Sequence, residues 1–205
     1  HGTSETIDVT CRRGRLGQLG GGCHGWNAMI HGMNAQTRPL VLVTGVGRTV
    51  GIAAGIALRL ANDGWDVATN HWEPYDDRMP WGRQSSDVET VSRSLREAGA
   101  NAIAVPADLE RPDAPRELFD TVEVQLGPVT ALVMAHCESV NSDLMSTSIE
   151  SFDRHLAVNA RAPWLLIKEF AARYRGHPGA GRIIALTSDH TVGNLPYGAS
   201  KGALD

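Results

Sequence analysis

Long apolar runs, one-sided charge and paired cysteines are all missing from this 205-residue chain, and each absence removes a class of protein. The longest uninterrupted apolar stretches, such as Pro39 to Val43, fall far short of the roughly 20 residues that a membrane-crossing helix needs. Charge is nearly balanced, with 19 Lys+Arg against 23 Asp+Glu and a formal net charge of −4, so a nucleic-acid binder held by a broad cationic surface is excluded. Cys11, Cys23 and Cys137 are too few and too scattered for a disulfide scaffold, which points to a reducing, cytoplasmic setting. The start of the chain has no apolar core of a secretory signal. Metal-ligand spacing is lacking too: Cys11, Cys23, His24 and His31 match no finger, and His136, Cys137 and His190 do not complete a shell of three or four ligands. With 42% hydrophobic residues in varied sequence, wholesale disorder is also excluded, and the length suits one α/β domain.

The chain divides by composition. Residues 1–37 carry 8 of the 22 glycines, including Gly20 to Gly22, and show no apolar period. Arg12, Arg13 and Arg15 outnumber Glu5 and Asp8 there, with Arg38 just beyond, while the remainder is acidic. A flexible extension is expected over 1–37, with Met33 as the native start, and a single domain over 39–205.

Within that domain, strands and helices alternate. Pro39 to Thr44 reads as a buried parallel strand, and Gly51 to Asn62 as a helix stopped at Asp63-Gly64. A weaker strand, Asp66 to Asn70, is followed by a long polar and aromatic connection, His71 to Ser86. Then come a helix at Val88 to Ala98, a strand at Ala102 to Pro106, a helix at Pro112 to Leu126 and a strand at Ala131 to Ala135. A long helix, Ser151 to Tyr174, and a fifth strand, Ile183 to Thr187, complete the series. The pattern predicts an α/β fold, a doubly wound parallel sheet whose chemistry lies beyond the carboxyl ends of the strands.

Two stretches carry that chemistry. Gly45, Gly47 and Gly51, with Arg48 and Ile52, join the first strand to the first helix, where backbone N–H groups and the helix dipole can cradle a pyrophosphate. A plain tight turn would use the same glycines. No Gly-Lys-Ser/Thr follows, so a P-loop is excluded. Tyr197 and Lys201 stand four apart and share a helix face, where an ammonium favours phenolate over neutral phenol.

Together these segments resemble the short-chain dehydrogenase/reductase family, including its 3-oxoacyl-ACP-reductase-like members, over roughly residues 39–205. The glycine turn is similar to the family's Thr-Gly-x-x-x-Gly-x-Gly when Gly47 and Gly51 are its first two glycines. Ala53 then replaces the third, and Gly45 implies two extra residues. Tyr197-Gly-Ala-Ser-Lys201 resembles the Tyr-x-x-x-Lys signature, and Asp108-Leu109 the pair whose acid reaches the adenine. Ser188 matches the serine that binds the substrate oxygen, nine positions before Tyr197 rather than about thirteen. Thr187, its neighbour, is predicted to point to the other side of the strand. Asn159 matches the helix asparagine that orders a water relay to the lysine. Where the family writes Asn-Asn-Ala-Gly, this chain has Met134-Ala135-His136-Cys137.

The resemblance implies the strand order 3-2-1-4-5 and hydride transfer between a nicotinamide cofactor and a small carbonyl or secondary alcohol. Tyr197 is the general acid/base, Ser188 polarises the substrate oxygen, and Lys201 tunes Tyr197 and holds the ribose. NADP(H) is expected over NAD(H): no carboxylate occurs near His71 before Glu73, whereas Arg48 can pair with a 2′-phosphate. The full-length form is expected to be a homo-oligomer, and this chain to lack the family's C-terminal part. A dinucleotide sensor without turnover, or an inactive fragment of the enzyme, are the competing readings.

Overall fold

The computed structural model describes residues 38–188 and 193–204. The expected extension, with Met33, Cys11, Cys23, His24 and His31, and also His190, lies outside the described residues. In chain order the elements are β1 (Leu40–Thr44), α1 (Ile52–Asn62), β2 (Asp66–His71), α2 (Glu73–Asp77), α3 (Asp87–Glu97), β3 (Ala102–Pro106) and α4 (Ala114–Leu126). They continue with β4 (Ala131–Met134), α5 (Ile149–Leu156), a π-helical turn (Ala157–Arg161), α6 (Ala162–Arg173), β5 (Arg182–Ala185) and α7 (Leu195–Gly202).

All five residues of β1 are buried, as a continuous aliphatic run predicts for a strand covered on both faces. The pleat sorts them: Leu40 and Leu42 enter one core cluster, Val41 and Val43 the other. Against Leu42 lie Leu118 and Phe119 of α4 and Leu166 of α6; against Val41 and Val43 lie the Ala53, Ala54, Ala57 and Ala61 face of α1 and Val91 and Leu95 of α3. Each large side chain fully buried here contributes about 1.5–3 kcal/mol. All strand pairs are parallel, as the alternation predicts, in the order β3-β2-β1-β4-β5 that the family resemblance implies. The order reverses at β1, so the switch-point crevice lies between the carboxyl ends of β1 and β4.

Three elements differ from the sequence reading. The connection from His71 to Ser86 contains the short helix α2, started by Pro74 in its first turn, where a fixed φ and a missing N–H cost nothing. The long helix is broken in register by its π turn. Pro163 has no N–H for the Asn159 carbonyl and its ring crowds that oxygen, so the chain widens and the Ala162 N–H bonds back to the Ala157 carbonyl, five residues away. The fifth strand ends at Ala185 because its partner β4 stops at Met134; one more bond, Leu186 N–H to the Met134 carbonyl, closes the ladder. Among the described residues no helix is long and apolar enough to cross a membrane.

Candidate active site

A crevice of about 400 Å³ opens at the carboxyl ends of the strands. Gly45, Gly47, Arg48, Gly51, Ile52, Asp108, Leu109, Tyr197 and Lys201 all line it, so residues more than 150 positions apart in the chain share one cavity. Asn159 and Ser188 are not among its lining residues; Thr187 is. Because β5 ends at Ala185, strand alternation does not reach position 187, and the expectation that Thr187 faces away gives way to a place on the crevice wall.

Gly45 closes β1 at φ +81°, a backbone conformation that only glycine adopts without strain. A Cβ there would stand 2.7 Å from the backbone of His136. Gly45 is therefore the glycine that the turn requires, and the family pattern is anchored at Thr44. Counted from there it falls on Gly45, Thr49 and Gly51, which removes the two-residue insertion and the Ala53 mismatch. Gly51 caps α1 in extended conformation, and Thr49 accepts no glycine role: its N–H and hydroxyl bond to the Asp87 carboxylate, which ties the turn to α3.

The segment after β2 returns to this turn. The carboxylate of Asp76 is buried against Gly47, where a Cβ would lie 2.8 Å from its Oδ2. Trp81 donates its indole N–H to Asp76 Oδ1 at 2.9 Å. The Arg48 guanidinium stacks over the Trp81 ring at 4.2 Å and stands 3.8 Å from Asp76. Counting along the sequence from Gly64 misses Asp76, since α2 carries it back five residues after β2 ends. At the same strand end Asn70 donates to the Ala107 carbonyl, which holds β2 beside the turn containing Asp108. Asp108 itself accepts from the Glu110 N–H.

Past β4 the wall is built from side-chain hydrogen bonds. His136 Nε2 lies 3.1 Å from the Val158 carbonyl, an acceptor only, so Nε2 carries the proton and donates. Its Nδ1 then accepts from the Thr44 hydroxyl at 2.6 Å. Burial, with the positive Lys201 nearby, pushes the His136 pKa down to about 4, so the ring is neutral. With both ring nitrogens committed, His136 joins β1, β4 and the π turn. Cys137 is half-buried, and burial pushes its thiol pKa up. Asn159, fully buried in the π turn, accepts from the Glu138 N–H and donates to the Glu138 carbonyl, both at 2.8 Å. Its second amide hydrogen reaches Ser200 Oγ at 2.9 Å. The asparagine expected to order water thus fixes a wall segment to α7.

On α7, Lys201 is buried and donates to the Leu186 carbonyl at 2.7 Å; its ammonium lies 5.9 Å from the centroid of the Tyr197 ring. Ser200 donates to the Tyr197 carbonyl, so Asn159 and Tyr197 are bridged by one hydroxyl. The one-turn spacing of Tyr197 and Lys201 puts both residues on the wall of the cavity that holds the glycine turn.

A family model for short chain dehydrogenase matches residues 39–205. An uncharacterized oxidoreductase, YjdA of Bacillus subtilis (strain 168), is 28% identical over 177 residues, 84% of this chain and 67% of its own. A chloroplastic NADPH-dependent aldehyde reductase-like protein of Arabidopsis thaliana is 32% identical over 173 residues, 81% of this chain and 63% of its own. The crystal structure of a blue fluorescent protein from a metagenomic library in complex with NADPH superposes with a TM-score of 0.68 at 30% identity, covering 81% of this chain and 64% of that one. The chain spans about two thirds of the length of these relatives.

Proposed function

Because the chain belongs to the short chain dehydrogenase family, we propose that it serves an NADP(H)-dependent oxidoreductase that interconverts a carbonyl and a secondary alcohol. The observation that carries this reading is the meeting of Tyr197 and Lys201 with the glycine turn in one crevice at the sheet's switch point. The residues fit a dinucleotide: Gly45, Gly47 and Gly51 line the crevice, and the N-terminus of α1, which has no side-chain cap, leaves its first N–H groups open to a phosphate. When bound, the nicotinamide supplies or accepts the hydride.

Tyr197 protonates the developing alkoxide in reduction and takes that proton back in oxidation. Lys201, held by the Leu186 carbonyl, places a positive charge beside the phenol and the cofactor ribose. A hydroxyl at the end of β5 orients the substrate oxygen. The resemblance assigns that hydroxyl to Ser188, while the lining of the crevice favours Thr187. Asn159 acts by holding Ser200 and Glu138 in place.

Arg48 supports NADP(H), since a guanidinium stacked on Trp81 is already desolvated on one face and oriented for a 2′-phosphate. NAD(H) has an observation of its own: Asp76, buried at the glycine turn, is a carboxylate able to accept from a ribose 2′-hydroxyl. Fluorescence titration with NADPH and NADH separates the two. Replacement of Arg48 by Ala weakens NADPH about tenfold or more and NADH little if the first holds; Asp76→Asn weakens NADH selectively if the second does. NADPH-linked reduction of a panel of aldehydes and ketones tests catalysis. Tyr197→Phe is expected to abolish it, and undiminished turnover in that variant removes the proposed acid. Ser188→Ala and Thr187→Val then decide which hydroxyl serves the substrate.

A further inference from the structure

Residues 72–81 leave β2 and make contacts on both sides of the switch point. On the β1 side, Asp76 and Trp81 hold Gly47 and Arg48. On the β4 side, Tyr75 hydrogen-bonds to the backbone of Ser139, and burial together with the neighbouring acids pushes its phenol pKa up. There too, Arg78 forks onto Glu138, with Nη1–Oε1 at 2.9 Å and Nη2–Oε2 at 3.0 Å. The segment therefore crosses the carboxyl end of β1 as a strap, and the Arg78–Glu138 pair fastens its far side. The two partners differ in freedom. The Glu138 side chain is 4% exposed and its peptide is pinned at N–H and C=O by Asn159, whereas the Arg78 side chain is 37% exposed. Glu138 is thus the fixed partner and Arg78 the one within reach of solvent. Through Asn159 and Ser200 the fixed part continues into α7, one residue from Lys201.

We propose that Glu138 is a positioning residue for the crevice: by gripping Arg78 it latches the strap over the switch point and so governs how a dinucleotide enters and leaves. This rests on the crevice being a dinucleotide site. The phosphates of an arriving dinucleotide offer the Arg78 fork the same bidentate geometry as the carboxylate, so they compete with Glu138 and release the strap.

Cys137, next to Glu138 and beside Tyr75, reports the latch without any ligand. In the full chain, N-ethylmaleimide labelling of Cys137, followed by peptide mass spectrometry, is compared between wild type and Arg78→Met. The half-exposed Arg78 is replaceable without emptying the core. Removing it leaves the Glu138 charge uncompensated, which raises the thiol pKa and slows labelling on electrostatic grounds. An acceleration of about tenfold in Arg78→Met therefore reports access, and it is the expected result. Glu138→Gln, which keeps the shape and loses the charge, is expected to raise both the association and dissociation rates of NADPH in stopped-flow at least about fivefold, with the melting temperature serving as control. Labelling unchanged or slower in Arg78→Met, with NADPH rates within twofold of wild type in both variants, overturns the latch. If labelling accelerates while the wild type binds neither NADPH nor NADH, the latch stands and the dinucleotide reading falls. If wild type binds NADPH and neither variant changes labelling or rates, the latch alone falls.

Discussion

The turn after β1 and the segment after β4 lie side by side on the wall of one crevice, yet the first is shaped by a missing atom and the second by assembled partners. At Gly45 the constraint is local: positive φ and the nearness of the His136 backbone leave no place for a Cβ. From His136 to Glu138 the constraint is distributed over Thr44, Val158, Asn159 and Arg78, which are 21 to 92 positions away in sequence. A local constraint tolerates change anywhere but at its own residue. A distributed one can be disturbed from four places, each at a moderate cost.

Substitutions on the two walls should differ accordingly. Gly45→Val meets backbone on a strained φ and is expected to prevent folding, a loss above about 5 kcal/mol visible as insoluble product; a well-folded variant would refute the account of this turn. Asn159→Leu orphans the N–H and C=O of Glu138 at roughly 1–3 kcal/mol each, so chemical denaturation should show a loss of about 4 kcal/mol.

His136 gives a pH signature. It is neutral when folded down to about pH 4, whereas the unfolded chain protonates it near 6.5, so between those values the unfolded state holds more protons. Its stabilising contribution is complete above pH 6.5 and fades as the pH falls towards 4. At about 1.4 kcal/mol per unit, wild type should lose about 3 kcal/mol more than His136→Gln over that interval, and parallel pH–stability curves would contradict the buried neutral ring. The smallest effect, about 2 kcal/mol, is expected for Thr44→Val, which removes the hydroxyl that donates to His136 and accepts from the Ala135 N–H.

The same division explains what could be read from the residues in order. The alternation of elements and the two-sided burial of β1 follow from local periods, while the strand order and the convergence of Tyr197 and Lys201 on the glycine turn were legible only through the family resemblance of the motifs. Asp76 escaped because a position count assumes an extended chain after β2, and α2 folds it back. The anchoring of the family pattern slid by two residues because Gly45 and Gly47 look alike until one of them shows positive φ. The structural use of Asn159 and the pairing of Arg78 with Glu138 depend on partners that no spacing announces. Thr187 and Ser188 were sorted by an alternation that stops where β4 stops supporting its neighbour.

The π turn at Ala157–Arg161 has a geometric consequence of its own. One residue is worth about 100° of rotation about a helix axis, so the surplus residue sets the azimuth of α5 independently of that of α6. A single rod can then present Asn159 to Glu138 while Ala162, Leu166 and Phe170 stay seated on the sheet. Deleting Ala160 would restore ideal helical winding, and in doing so would turn Asn159 by about 100° relative to α6 and out of reach of Glu138.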